Sequence, residues 1–168
     1  EKLNLGLVAE DMDISPLGMG GLTHGLSTVE MAAAYAAFVN EGIYTKPRTF
    51  TRVDDTNGNV VLENEIDSHA AMKSSTAALM NSILTDVVSG GTGSGAYFSG
   101  MSIAGKTGST NDLRDRYFVG YTPYLTGACW VGYESNAKIS SGGVNPAVAL
   151  WKKVMQPIHE GLPKEALF

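Results

Sequence analysis

Apolar positions along the chain recur in two periods, and each period assigns its own set of elements. From Ser75 onward Leu79, Met80, Ile83, Leu84, Val87 and Val88 return every three or four residues, which predicts an amphipathic helix ended by the run Ser89-Gly-Gly-Thr-Gly-Ser-Gly95. That run is too rich in glycine to enter a core. Ser27 and Glu30 form a capping box ahead of Met31-Ala-Ala-Ala-Tyr-Ala-Ala-Phe-Val39, and Met31, Tyr35, Phe38 and Val39 share the face expected to be buried. Gly42 stops this helix. Asn145 caps and Pro146 opens a last helix with Val148, Trp151, Val154 and Met155 in one stripe. Residues 1 to 5 read as the end of a helix stopped by Gly6, and Asp11 to Gly25 as a loop.

Alternation with period two marks the strands. Phe50 to Asp54 and Asn59 to Glu63 flank Asn57-Gly58, the signature of a tight, peripheral hairpin. Met101 to Ser109, Tyr117 to Thr122 and Leu125 to Tyr133 form an antiparallel meander, with Pro123-Tyr124 at its second turn. The last helix is expected to lie on this meander. With no internal repeat and no long linker, the fold class is α/β of the α+β type, an antiparallel sheet flanked by helices in a single domain.

Composition narrows the function classes. The 168 residues are 43% apolar and 17% charged, which excludes a disordered chain. A net charge of -5 without a basic run argues against a nucleic-acid partner. The single cysteine, Cys129, lies in the apolar stretch Leu125 to Val131, so it makes no intrachain disulfide and reads as an inert core thiol. No apolar run approaches the length that spans a bilayer, no signal peptide opens the chain, and Glu1-Lys2-Leu3 looks like mid-helix, so polypeptide is expected upstream. His24, His69 and His159 lack metal-ligand spacing and read as solvated or packing residues; no metal or organic cofactor is expected. Asp112, Arg114, Asp115 and Arg116 are expected to pair among themselves at the surface.

Candidate chemistry concentrates in Met101-Ser-Ile-Ala-Gly-Lys-Thr-Gly-Ser109. Lys106 offers a fixed positive charge, Thr107 a hydroxyl, Gly108 access to bare backbone, and Ser109 a backbone N–H. These suit a peptide that ends in a carboxylate and whose carbonyl becomes an oxyanion under attack. Alternation puts Lys106 and Thr107 on opposite faces of a strand, so they share a site only where that site wraps round a sheet edge. Gly100 to Thr107 also satisfies the G-x-x-x-x-G-K-[ST] phosphate-loop pattern. Its context is wrong, because no buried strand precedes Gly100 and turn formers, not a helix, follow Lys106.

Gly105-Lys-Thr-Gly-Ser-Thr110, followed by Asp115-Arg-Tyr-Phe-Val-Gly-Tyr-Thr-Pro123, resembles the transpeptidase domain of class A penicillin-binding proteins, whose motif set includes K-T-G. Gly20-Gly-Leu-Thr-His-Gly-Leu-Ser-Thr-Val-Glu-Met-Ala-Ala-Ala-Tyr-Ala36 and Gly91-Thr-Gly93 stand in the family's order, so the resemblance covers nearly the whole chain. It implies a fold like that of penicillin-binding proteins and serine β-lactamases, incomplete here, with the meander as three of five sheet strands. Residues 1–168 would be the C-terminal part of one D,D-transpeptidase domain, with the serine of S-x-x-K and the S-x-N motif upstream of residue 1. Ser135-Asn-Ala-Lys138 and Ser109-Thr-Asn111 spell these patterns in the wrong context and are read as chance.

By the same resemblance Lys106 stands beside the S-x-N serine and assists the proton relay or the local potential. Thr107, with Gly108 and Thr110, binds the substrate and its terminal carboxylate, and the Ser109 N–H contributes to the oxyanion hole. A serine where the family often has threonine after K-T-G leaves that N–H role intact. The implied reaction cross-links peptidoglycan stem peptides through a serine ester, on the outer face of the bacterial membrane. The implied partners are D-Ala-D-Ala peptides, β-lactams and the remainder of the same polypeptide. The rival readings are a serine β-lactamase or D,D-carboxypeptidase, and a non-catalytic sensor that kept the cleft. Uncovered strand edges and helix faces also predict self-association of this chain.

Overall fold

The computed structural model describes residues 2–140 and 143–167. Its elements are α1 (Ile14–Met19), α2 (Thr28–Val39), β1 (Ile43–Thr45), β2 (Arg52–Asp54), β3 (Val60–Glu63), β4 (Ser68–Ala70), α3 (Ser74–Ser89), β5 (Ala104–Ser109), β6 (Asp115–Tyr121), β7 (Thr126–Gly132) and α4 (Pro146–Ile158). The expected meander is present as a three-stranded antiparallel sheet in the order β5-β6-β7. Lys106 stands opposite Val119, Thr107 opposite Phe118, and Phe118 opposite Cys129. Side-chain alternation then divides the sheet into two faces. Phe118 belongs to the face covered by α4, where it joins Trp151, Val148, Met155, Ile103 and Val88 in the main core cluster. Trp151 fixes α4 in place by donating its Nε1–H to the carbonyls of Gly120 and Gly127, at 3.2 and 3.1 Å. Tyr121 and Ala104 belong to the other face, packed against Leu84 of α3 and Tyr35 and Phe38 of α2.

The caps form as their residues dictate. Ser27 Oγ accepts the Glu30 N–H at 3.2 Å while the Glu30 carboxylate accepts the Ser27 N–H at 2.8 Å, and Asn145 Oδ1 accepts the Ala147 N–H at 3.0 Å. Asn57-Gly58 turns the peripheral hairpin β2–β3, with Gly58 at φ +83° and a register shift between Val53 and Asp54; β2 begins at Arg52, two residues later than the expected Phe50.

Several expectations require correction. Residues 2–5 are not a helix, since Asn4 and Gly6 take left-handed φ of +49° and +59°; Glu1 lies outside the described residues. The loop from Asp11 holds α1, whose Pro16 sits in the first turn, where no N–H is needed, and whose end is closed by Gly20 donating to the Pro16 carbonyl. The short pair β1–β4 was not legible, because three residues show no alternation; it buries Tyr44 against Ala33, Ala37 and Ala71. On α2 the alanines lie deepest while Tyr35, Phe38 and Val39 are half-buried. On α3 the contact line runs Ala77, Asn81, Leu84, Val88, leaving Leu79 and Ile83 exposed, as Val154 is on α4. The glycine-rich run after α3 does reach the interior, at Gly93, and Ala96 just beyond it is fully buried.

Candidate active site on the edge of β5

β5 is buried at Ala104 and Gly105 and opens to solvent from Lys106 to Ser109. Among the described residues it pairs with β6 alone, so its other side is a free edge. The hydrogen-bond alternation of an antiparallel pair decides which amides face that edge. Thr110 N–H donates across the hairpin to the Asp115 carbonyl at 3.1 Å. The N–H and C=O of Ser109, and again of Thr107, therefore point away from β6. The Lys106 side chain marks the same edge, for its Nζ donates to the outward carbonyl of Thr107 at 3.0 Å.

Lys106 and Thr107 occupy opposite faces, as alternation requires. The Thr107 hydroxyl lies 2.8 Å from that of Thr92, in the glycine-rich segment after α3. Thr92 is the member of this constellation that sequence reading did not select as a site residue; its signal was Gly91-Thr-Gly93 standing just ahead of the strand. Gly108 stands opposite Tyr117. Thr110 is placed differently from the rest. Its Oγ1 accepts the N–H groups of Arg114 and Asp115, each at 3.0 Å, which shapes the β5–β6 turn around Leu113 at φ +56°.

The charged residues of that turn behave unequally. Arg114 pairs loosely with Asp112 at 3.5 Å and donates to the Asn136 carbonyl, an exposed arrangement of the expected kind. Asp115 instead accepts from Trp130 Nε1 at 3.0 Å, and Arg116 is buried with no partner for its Nε among the described residues, so for these two the surface-pair expectation is corrected. His159 is a packing residue: its Nδ1 lies 2.6 Å from the Met155 carbonyl and its Nε2 2.8 Å from the Thr122 hydroxyl. His69 Nε2 meets the Lys2 carbonyl, and His24 is exposed. Cys129 is half-buried against the α4-side cluster, and burial pushes its thiol pKa up. Ser135 lies in a turn with no helix following, and Lys106 continues a strand where a phosphate loop would begin a helix. An apolar cavity of about 220 Å3 between Leu3, Leu5, Leu22, Met31 and Phe38 contains no residue of β5. No helix among the described residues is long and apolar enough to cross a membrane.

The chain matches the family described as penicillin binding protein transpeptidase domain over residues 8–156. Penicillin-binding protein 1A of Clostridium acetobutylicum is 39% identical over 164 residues, which cover 96% of this chain and 20% of that protein. The structure of the PonA1 protein from Mycobacterium tuberculosis in complex with penicillin V superposes with a TM-score of 0.72 at 26% identity, covering 86% of this chain and 41% of that one. Penicillin-binding protein 1A from Haemophilus influenzae gives a TM-score of 0.82 over 99% of this chain and 31% of that one; at 19% identity this is a likeness of fold. The chain thus spans about a fifth of the length of the curated relatives it matches.

Proposed function

Because the chain belongs to the penicillin-binding protein transpeptidase family, we propose that it provides the carboxylate-binding and oxyanion-binding edge of a serine D,D-transpeptidase, whose nucleophile lies in polypeptide preceding residue 1. The observation that carries this reading is the free edge of β5, where the Lys106 ammonium sits on the outward carbonyl of Thr107, two residues before the outward N–H of Ser109, while the Thr107 hydroxyl stands against that of Thr92. Acyl transfer needs an activated nucleophile together with a preformed home for developing negative charge. This edge is suited to the second task.

In the proposed reaction a serine hydroxyl attacks the penultimate D-Ala carbonyl of a stem peptide. The tetrahedral oxyanion forms against the Ser109 N–H and collapses to a serine ester with release of the terminal D-Ala. The amine of a neighbouring stem peptide then takes the acyl group, which forms the cross-link and frees the serine. Thr107 holds the terminal carboxylate by a charge-assisted hydrogen bond, and Gly108 lets the substrate backbone approach. Lys106, beside the serine of the upstream S-x-N, supports the proton relay through its charge. Thr110 acts at one remove, by shaping the turn that ends β5. A β-lactam occupies the same edge because it offers a carboxylate and a strained carbonyl together. The chemistry takes place at the outer face of the bacterial membrane.

Intact-mass measurement with a labelled penicillin tests the assignment. This chain alone should gain no covalent adduct, whereas polypeptide extended upstream should gain one, mapped outside residues 1–168. Stoichiometric labelling of Ser135, or of any other serine in this chain, would overturn it.

A further inference from the structure

Thr92 stands in a segment packed closely against α3 and the sheet, beside β5. Gly93 donates its N–H to the Val87 carbonyl at 3.0 Å, tying the segment to the last turn of α3. A Cβ on Gly91 would lie 2.9 Å from that same carbonyl oxygen, and one on Gly93 would lie 3.3 Å from the Phe118 ring. Glycine at position 91 thus lets the chain pass close to α3, and Gly93 sits tight against both α3 and the sheet on the other side of Thr92. Between these two fixed points the Thr92 hydroxyl comes to 2.8 Å from that of Thr107.

Two hydroxyls in contact carry two protons, and their mutual bond uses one of them. If Thr107 donates to Thr92, it presents only lone pairs to an incoming anion. If Thr92 donates to Thr107, the Thr107 proton is left to point outward. A carboxylate at this edge selects the second arrangement, and the donated bond polarises the Thr107 hydroxyl into a better donor. The Lys106 ammonium on the Thr107 carbonyl adds a positive charge beside the same residue.

We propose that Thr92 is a positioning residue whose hydroxyl donates to Thr107 and so aims the Thr107 proton at the ligand carboxylate. The inference rests on the reading of β5 as the carboxylate-binding edge. Its test compares acylation rates of the protein carrying the upstream nucleophile with benzylpenicillin and with the methyl ester of benzylpenicillin, which lacks the carboxylate. Thr92→Val should slow acylation by benzylpenicillin by about 3- to 10-fold, the worth of one ordinary hydrogen bond, and leave the ester's rate near its starting value. Thr92→Ser, which keeps the hydroxyl, should restore the benzylpenicillin rate. Equal slowing with both ligands, or no rescue by serine, would mean that Thr92 merely supports the fold. If Thr107→Val slows benzylpenicillin while Thr92→Val does not, this proposal falls and the carboxylate-binding edge stands; if neither variant matters, both fall.

Discussion

The Tyr121 hydroxyl donates to Asn81 Oδ1 at 2.6 Å, deep between α3 and the sheet, and Asn81 Nδ2 in turn donates to the Phe38 carbonyl at 3.0 Å. Tyr121 stands opposite Ala104, the first residue of β5, so this bond fastens the inner end of β5's neighbour β6 to two helices. Burial, with Tyr35 nearby, holds the Tyr121 hydroxyl far above the usual phenol range, so it stays protonated and able to donate. Asn81→Leu should cost about 1–3 kcal/mol by leaving buried polar groups unpaired. In urea denaturation, Tyr121→Phe combined with Asn81→Leu should lose less than the sum of the two single changes. Strict additivity would show that the pair is not coupled.

Gly105 lies across from Gly120, where a Cβ would fall 2.7 Å from both the Phe118 Cζ and the Val119 carbonyl oxygen. Backbone cannot give way there, so Gly105→Ala should push β5 off its neighbour and cost about 1–3 kcal/mol. Gly21→Ala, with nothing within 4 Å of the added carbon, should change stability by less than about 0.5 kcal/mol. Thermal melts of the two variants compare them directly, and equal melting temperatures would contradict this view of the strand's packing.

Acid should loosen the N-terminal third. Asp11 accepts the Thr23 N–H and hydroxyl, each at 2.7 Å, and the Val8 N–H at 3.1 Å, and these bonds lower its carboxyl pKa. The Ser27 hydroxyl and N–H lower that of Glu30. In both cases the unfolded chain, with carboxyl values of about 3.9 and 4.3, takes up its proton first as pH falls. The stability these groups contribute is therefore fully present above those values and is lost as pH drops through the lower folded ones. Melting curves should show that Asp11→Asn destabilises at pH 7 and that its gap from wild type narrows as pH falls below the ordinary carboxylate range; a gap independent of pH would exclude this linkage.

Two free strand edges remain on the sheet, since β5 and β7 each pair only with β6 among the described residues. Leu79 and Ile83 on α3, Ile14 and Met19 on α1 and Trp130 on β7 are all exposed. Such surfaces recruit further chains. Light scattering coupled to gel filtration should give a mass that rises with concentration, and a constant monomer mass would contradict this.

What could be read ahead of the structure follows from how local each signal is. The capping box at Ser27, the proline after Asn145 and the three strands of the meander are written in neighbouring residues, so they were legible. Which side of a helix meets the sheet is decided by the partner, and this is why Leu79, Ile83 and Val154 were misplaced while alanines and Asn81 took the interior. At the site, Lys106, Thr107 and Ser109 lie within one strand and were found together. Thr92 and Thr107 are fifteen residues apart, and their contact depends on how the segment after α3 turns, which no local pattern states.

Replacement of Lys106 tests the central claim most directly. In the protein carrying the upstream serine, the rate of acylation by benzylpenicillin should fall about 30- to 1000-fold in Lys106→Ala, the loss expected of one charge-assisted contact at a developing negative charge. Ser135→Ala, in the turn that follows β7, should acylate at the unaltered rate. Unchanged acylation in the Lys106 variant would remove the edge of β5 from the chemistry and contradict the account.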